Sequence, residues 1–250
     1  MLGVIKSDVG RVRANNEDSF YFPPKDSKLP ELFIVADGMG GHQAGEVASK
    51  IATNEVAEYI NSHLSENISC EEIKETIKNA VSIANEKILH LSLQKDEFFG
   101  MGTTLTAALF YGNYVYIGHV GDSRAYLIRE NDIKQLTRDH SLVWQLVESG
   151  RITMEEARVH PMKNIITKAL GTERDLEPDI LKIALKDNDI ILLCSDGLTN
   201  MLENDEIKDI VLSAKEPEKA VQKLIDYANF KGGEDNITVG IIKVDEVGCE

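Results

Sequence analysis

The sequence predicts an α+β fold, and three observations carry that reading. Two amphipathic helical patterns follow one another before residue 95, β-branched and aromatic runs fill 103–136, and two further helical patterns precede a last apolar run at 237–244. Clustered elements of this kind exclude the regular strand–helix alternation of a doubly wound sheet. No Pro-, Gly- or Ser-rich linker interrupts the 250 residues and no repeat recurs, so one domain spanning 1–250 is expected.

Taken in order, the run 32–36 is short and apolar and ends at Asp37-Gly38, as a buried strand feeding a loop does. Val47, Ala48, Ile51, Ala52, Val56, Tyr59 and Ile60 then recur at three- and four-residue steps and predict a helix. Ile73, Ile77, Ala80, Val81, Ala84, Ile88 and Leu91 predict a second, with Glu71, Glu72, Lys74, Lys78 and Lys87 on its wet face. The runs 103–111, 114–120, 124–129 and 133–136 are separated by Gly-Asn and Glu-Asn-Asp turns and read as an antiparallel meander. The stretch 141–171 is more polar, with Gly150 and His160-Pro161 between short helical patterns, and predicts an inserted mobile subdomain. Strands are expected at 190–194 and 237–244, and helices at 204–214 and 217–230.

Composition narrows the function. A hydrophobic fraction of 42% and a charged fraction of 28% describe a globular chain, and the formal charge is −15. Such a chain is repelled by nucleic-acid phosphates and anionic lipid, so neither is an expected partner. Cys70, Cys194 and Cys249 are odd in number and far apart, which excludes a disulfide framework and a zinc pattern and makes the cytoplasm the expected compartment. Residues 1–13 lack the sustained apolar stretch of a signal peptide. The most apolar region, 104–120, is broken at Gly112-Asn113 and is too short to span a membrane.

The informative acids lie at the ends of apolar strands: Asp37, Asp122, Asp196 and Asp235, each beside a Gly or Asn turn, with a further cluster at Asn15-Asn16-Glu17-Asp18. One Asp-Gly after a strand is ordinary turn chemistry. Several carboxylates converging on a partly buried space would instead require cations. Oxygen donors without Cys or His at ligand spacing suit Mg²⁺ or Mn²⁺. The loop after Asp37 lacks the acidic third and fifth positions of an EF-hand. A pair of such ions can activate water for attack on phosphorus, and an arginine such as Arg13 can grip phosphate oxygens.

Seven motifs stand in order: Arg13-Ala14-Asn15-Asn16-Glu17-Asp18-Ser19, Val35-Ala36-Asp37-Gly38-Met39-Gly40-Gly41-His42, Gly102-Thr103-Thr104, Gly121-Asp122-Ser123-Arg124-Ala125, Thr137-Arg138-Asp139-His140-Ser141, Ser195-Asp196-Gly197-Leu198 and Asp235-Asn236-Ile237-Thr238. Together they resemble the metal-dependent type 2C (PPM) protein serine/threonine phosphatases in their compact bacterial form, over about residues 9–244. The resemblance implies a four-layer α-β-β-α sandwich with two central antiparallel sheets and a flap subdomain at about 141–171. It implies hydrolysis of phosphoserine and phosphothreonine by direct attack of a metal-bridging water, without a phosphoenzyme, in opposition to a bacterial Ser/Thr kinase; a monomer is the default expectation. Two Mn²⁺ or Mg²⁺ ions, with a weaker third, would be the cofactors. Asp37 would bridge the two ions, the Gly38 carbonyl would complete one, and Asp196 and Asp235 would hold the other. Asp122 with Asp196 would form the third position, Glu17 and Asp18 would act through metal-bound waters with Asn236 supporting the ligands, and Arg13 would clamp the phosphate. Where eukaryotic members carry a histidine after the Asp-Gly, this chain has Met39, so a metal-bound water rather than His42 is the expected proton source.

Rival readings fare worse. Gly121-Asp122-Ser123 and Asp139-His140-Ser141 resemble hydrolase fragments, but no histidine follows His160 and adjacent residues cannot form a relay. Cys194 in its apolar strand is expected to be an inert buried thiol, Ser123 a turn hydroxyl, and Trp144 an anchor for the flap's short helix. A regulatory module would usually have lost metal carboxylates or the arginine, and all stand here. A two-metal nuclease would need a basic approach that the −15 charge does not provide. That charge also predicts a preference for phosphosites flanked by basic residues.

Overall fold

Alternate residues along the apolar run 32–35 face different layers. Leu32 and Ile34 pack with the helices, whereas Phe33 and Val35 pack among strands of the opposite sheet. This two-residue alternation is the strand pleat, and both of its faces are buried. The computed structural model describes residues 2–24, 30–40, 44–65 and 67–245. Its strands are β1 (Leu2–Asp8), β2 (Asp18–Tyr21), β3 (Glu31–Met39), β4 (Gly102–Thr103), β5 (Leu105–Tyr111), β6 (Tyr114–Val120), β7 (Arg124–Arg129), β8 (Asp132–Gln135), β9 (Asp179–Ala184), β10 (Ile190–Cys194) and β11 (Ile237–Lys243). One antiparallel sheet has the order β1-β11-β10-β7-β8; the other runs β2-β3-β5-β6-β9, with β4 paired to β3.

Helices α1 (Ala44–His63) and α2 (Cys70–Gln94) cover the second sheet through Ala48, Val56, Ile60, Ile73, Ile77 and Ile88. Ser69 caps α2 with Glu72 in a reciprocal box, a signal legible as Ser-x-x-Glu. Helices α6 (Asn204–Ser213) and α7 (Pro217–Phe230) cover the first sheet through Ile207, Val211, Val221 and Leu224, after the short α5 (Asp196–Thr199). Between the sheets lie Phe33, Val35, Ile117, Leu127, Ile191, Leu193 and Ile242. Each such side chain, fully buried, contributes about 1.5–3 kcal/mol. The layers are therefore helix, sheet, sheet and helix, as the family resemblance implied.

Several local expectations change. The runs between 103 and 136 do not form one meander, because β5 and β6 pair in one sheet and β7 and β8 in the other. The chain crosses between the sheets at 121–123, where Gly121 adopts φ +106° and an added Cβ would sit 2.6 Å from Thr104. Strand β3 does not end before Asp37 but runs to Met39, since Asp18 faces Asp37 from β2 and Thr103 faces Gly38 from β4. Strands β1, β2 and β9 carry too mixed a pattern to stand out in the sequence. Between β8 and β9, α3 (Leu142–Glu148) is capped by Ser141 and α4 (Met154–Arg158) by Thr153, which gives the 141–171 segment its two short helices.

Candidate metal centre

Asp37 follows Phe33 and Val35 at two-residue steps on β3, so the pleat directs its carboxylate into the end of the inter-sheet layer. Asp18 is its cross-strand partner on β2, and directly opposed residues share a face. One oxygen of Asp18 reaches the other sheet: Oδ2 accepts from the Ser195 hydroxyl at 2.7 Å and from the Thr238 hydroxyl at 2.6 Å. Its Oδ1 is buried with no hydrogen-bond partner. Asp196 opens α5 just past β10, and Asp235 precedes β11. Asp122 sits on the crossover between sheets and is 8% exposed. Two sheets with strands ending at the same place thus bring together acids that lie up to 217 residues apart in sequence.

Hydroxyl and amide side chains hold this frame. The Asp37 N–H donates to Thr104 Oγ1 at 2.9 Å, Thr104 shares a 2.7 Å hydrogen bond with Ser123, and the Thr103 hydroxyl donates to the Asp37 carbonyl. Asn236 accepts from the Glu17 N–H at 2.8 Å and donates to the carbonyls of Val9 and Asn15, each at 2.9 Å. It therefore staples the Asn15–Asp18 segment to the start of β11. Gly38 permits a close approach: a Cβ there would lie 2.1 Å from the Gly45 carbonyl oxygen, so any side chain would push the start of α1 off the site. Thr103, Thr104, Ser195 and Thr238 complete this frame, and in the sequence they are marked only as hydroxyls beside an acid or at a strand end.

The electrostatics are those of crowded carboxyls whose charge is disfavoured. Burial raises the Asp37 carboxyl well above its ordinary range, and Asp18, Asp196, Asp122 and Asp235 push it further. Burial brings Asp18 to about 7 against the hydrogen bonds from Thr238 and Ser195. Asp122 is raised by burial and then by Asp196 and Asp139, Asp196 by burial and then by Asp235, and Glu17 by burial. Asp196 Oδ1 is also buried and unpartnered. Arg13, half-exposed, donates to Asp235 Oδ2 at 2.8 Å, and Asn200 donates to Asp196 Oδ2 at 2.9 Å.

All-oxygen donors, two orphaned buried carboxylate atoms and mutual repulsion fit hard divalent cations. In this arrangement no group of three His, Cys, Asp or Glu side chains among the described residues closes on one ion position. Asp235 is instead paired with Arg13 through Oδ2 and accepts from the Asn236 N–H at Oδ1.

Other singled-out residues fall into place. Cys194 is fully buried and its thiol is pushed up to about 12 by burial, as expected of an inert thiol. Ser123 spends its hydroxyl on Thr104. Trp144 lies in α3, its backbone N–H donating to Ser141 Oγ and its indole N–H buried without a partner. A pocket of about 110 Å³ lies between this segment and the acids, lined by Asp122, Asp196, Trp144, Arg158 and Lys163 among others. His42 and Cys249 lie outside the described residues. Among the described residues no helix is long and apolar enough to cross a membrane.

Comparison with known proteins gives the family. The serine/threonine phosphatase stp of Listeria welshimeri is 41% identical over 239 residues, covering 95% of this chain and 94% of its own. The serine/threonine phosphatase of S. agalactiae superposes with a TM-score of 0.89 at 38% identity, over 98% of this chain and 100% of that one. The catalytic domain of the serine/threonine protein phosphatase PstP, solved in complex with two manganese ions, superposes with a TM-score of 0.84 at 38% identity over 98% of both chains. Residues 4–237 match the model of protein phosphatase 2C, and the chain belongs to that family.

Proposed function

We propose that this phosphatase removes phosphate from phosphoserine and phosphothreonine in proteins at the inter-sheet acid cluster. The observation that carries the assignment is the convergence of buried Asp18 and Asp122 with half-buried Asp37 and Asp196, each carboxyl raised by desolvation and by at least one neighbouring acid, with an oxygen of Asp18 and one of Asp196 left without partners. Asp37, the Gly38 carbonyl, Asp196 and Asp235 would hold two divalent ions, Mn²⁺ or Mg²⁺, and Asp122 with Asp196 a weaker third. When bound, the ions neutralise the cluster and supply the Lewis acidity that activates water and stabilises charge on the phosphoryl group.

The chain's own residues do the rest. Arg13, now spent on Asp235, is exposed enough to exchange that carboxylate for phosphate oxygens, gripping them with charge-assisted hydrogen bonds. Asp18 and Glu17 stand behind the ligands, Asp18 fixed by two hydroxyls from the other sheet and Glu17 by Asn236. Met39 carries no proton, so none is transferred to the leaving alkoxide from that position. The flap at 141–171 forms one wall of the pocket beside Asp122 and would meet the polypeptide around the phosphosite. The setting we infer is a single-domain cytoplasmic monomer opposing a Ser/Thr kinase.

The test is hydrolysis of p-nitrophenyl phosphate and of a phosphothreonine peptide with Mn²⁺ and with EDTA. Turnover should require metal and should vanish in Asp37→Asn while circular dichroism is unchanged. Metal-independent turnover, or none with metal, refutes the proposal.

A further inference from the structure

His140 belongs to a motif that the proposed chemistry leaves unused, yet it grips the crossover that carries Asp122. Its backbone N–H donates to the Gly121 carbonyl at 2.8 Å, and the Gly121 N–H donates back to His140 Nδ1 at 3.0 Å. Gly121 is buried and packs closely on Thr104. A buried N–H needs an acceptor, and here a side chain supplies it. Because Nδ1 accepts, the ring proton lies on Nε2, which donates to Asp179 Oδ2 on the edge strand β9 at 3.2 Å. Asp179 is held in turn by Lys168 at 3.6 Å.

The other side of His140 leads to the flap. Its carbonyl accepts from the Thr167 N–H at 2.7 Å, and the next residue, Ser141, caps α3. From Gly121 the frame continues through Ser123 and Thr104 to the Asp37 N–H. His140 therefore joins three parts of the fold: its imidazole holds the 121–123 crossover and the edge strand β9, and its backbone carbonyl holds the flap root at Thr167. Resting on the reading of the acid cluster as the catalytic centre, we propose that His140 is a positioning residue: through its Nδ1 acceptor it fixes the 121–123 crossover, and so Asp122, relative to Asp37. It touches no substrate and transfers no proton.

Substitution at the two ring-nitrogen positions separates this role from mere packing. His140→Asn keeps an acceptor at the δ position, whereas His140→Gln offers polar atoms only at the ε position and His140→Leu offers none. In metal-free protein, Gly121 amide exchange should be slow in the wild type and in His140→Asn and fast in the other two. The Mn²⁺ concentration for half-maximal hydrolysis of p-nitrophenyl phosphate should rise about tenfold or more in His140→Gln and His140→Leu, and about threefold or less in His140→Asn. Wild-type ring ¹⁵N spectra should show Nδ1 unprotonated. A protonated Nδ1 overturns the proposal, as does a His140→Gln variant that matches His140→Asn in Gly121 exchange or keeps the wild-type Mn²⁺ midpoint. The ring spectrum decides the matter if the Gln and Leu variants do not fold. Absence of metal-dependent turnover in every protein would sink the phosphatase assignment, while the exchange data would still report on the clamp.

Discussion

Adding Mn²⁺ to the metal-free protein should expel protons, in a number that depends on pH. Asp18 titrates near 7 because burial disfavours its charge, Asp196 and Asp235 add repulsion, and the Thr238 and Ser195 hydroxyls only partly offset both. Asp37 and Asp122 are also raised well above the ordinary carboxylate range, first by burial and then by their acidic neighbours. Folded, metal-free protein therefore binds more protons than unfolded chain from pH 3.8 to about 7, and these acids make it less stable as pH rises through that window. Cations require the ionised forms, so the stabilisation that metal confers must grow over the same range. Each displaced proton tightens the metal Kd about tenfold, or about 1.4 kcal/mol, per pH unit. His119 works in the opposite sense: burial and then His140 hold it near 4, so it costs stability as pH falls. It does so with or without metal and cancels in the difference. Isothermal titration calorimetry at pH 6.5 in buffers of differing ionisation enthalpy counts the protons directly, and the Mn²⁺-induced rise in Tm follows the trend from pH 6 to 8. At least one proton per protein is expected. Zero protons at pH 6.5, or a Tm increment that is flat with pH, would refute the picture of repelling, partly protonated carboxylates.

Arg13→Ala should lower kcat/KM for p-nitrophenyl phosphate by about 10- to 100-fold at saturating metal, the worth of a charge-assisted contact; a change below about threefold removes the phosphate clamp. Asn236→Ala deletes the acceptor for the Glu17 N–H and both donors to the 9–15 segment, and should cost about 2 kcal/mol or more in urea unfolding together with metal affinity. An unchanged unfolding midpoint would show that the staple is dispensable. With a formal charge of −15 around a neutralised site, phosphopeptides with basic flanks should be preferred at low salt and the preference should shrink as salt rises. Equal kcat/KM for acidic and basic flanks at low salt contradicts this.

The helices and central strands were legible because their residues repeat with a period. The stripe from Ile73 to Leu91 and the runs at 105–111 and 190–194 reappear as α2, β5 and β10. The edge strands β1, β2 and β9 were not, since each has one wet face and side chains such as Lys6, Ser19 and Lys182 dilute the pattern. The meander failed for a different reason. Turn signals mark where a chain reverses, but nothing local in Gly121-Asp122-Ser123 says that the next strand joins another sheet. At the site, the acids could be picked out by their place at strand ends, and the ordered motifs gave them roles. The hydroxyls of Thr104, Ser195 and Thr238 could not be placed, because their partners lie 67 to 220 positions away.

Local rules broken together at one place are themselves the functional signal. Along β3 the pleat that buries Phe33 and Val35 delivers Asp37 to the same layer, and β2 sets Asp18 opposite it, where an apolar pair would have extended the core. Nothing in folding the metal-free chain favours two acids facing each other there, because burial and neighbouring acids raise the pKa of both. The surrounding frame is nevertheless built to hold them: Ser195 and Thr238 bind Asp18 across the sheets, while Thr103 and Thr104 bind the backbone of Asp37. Polar groups are thus spent on fixing acids that destabilise the protein alone. That expenditure makes physical sense only if the acids are stabilised by something added later, and divalent cation is the species whose charge and oxygen preference match.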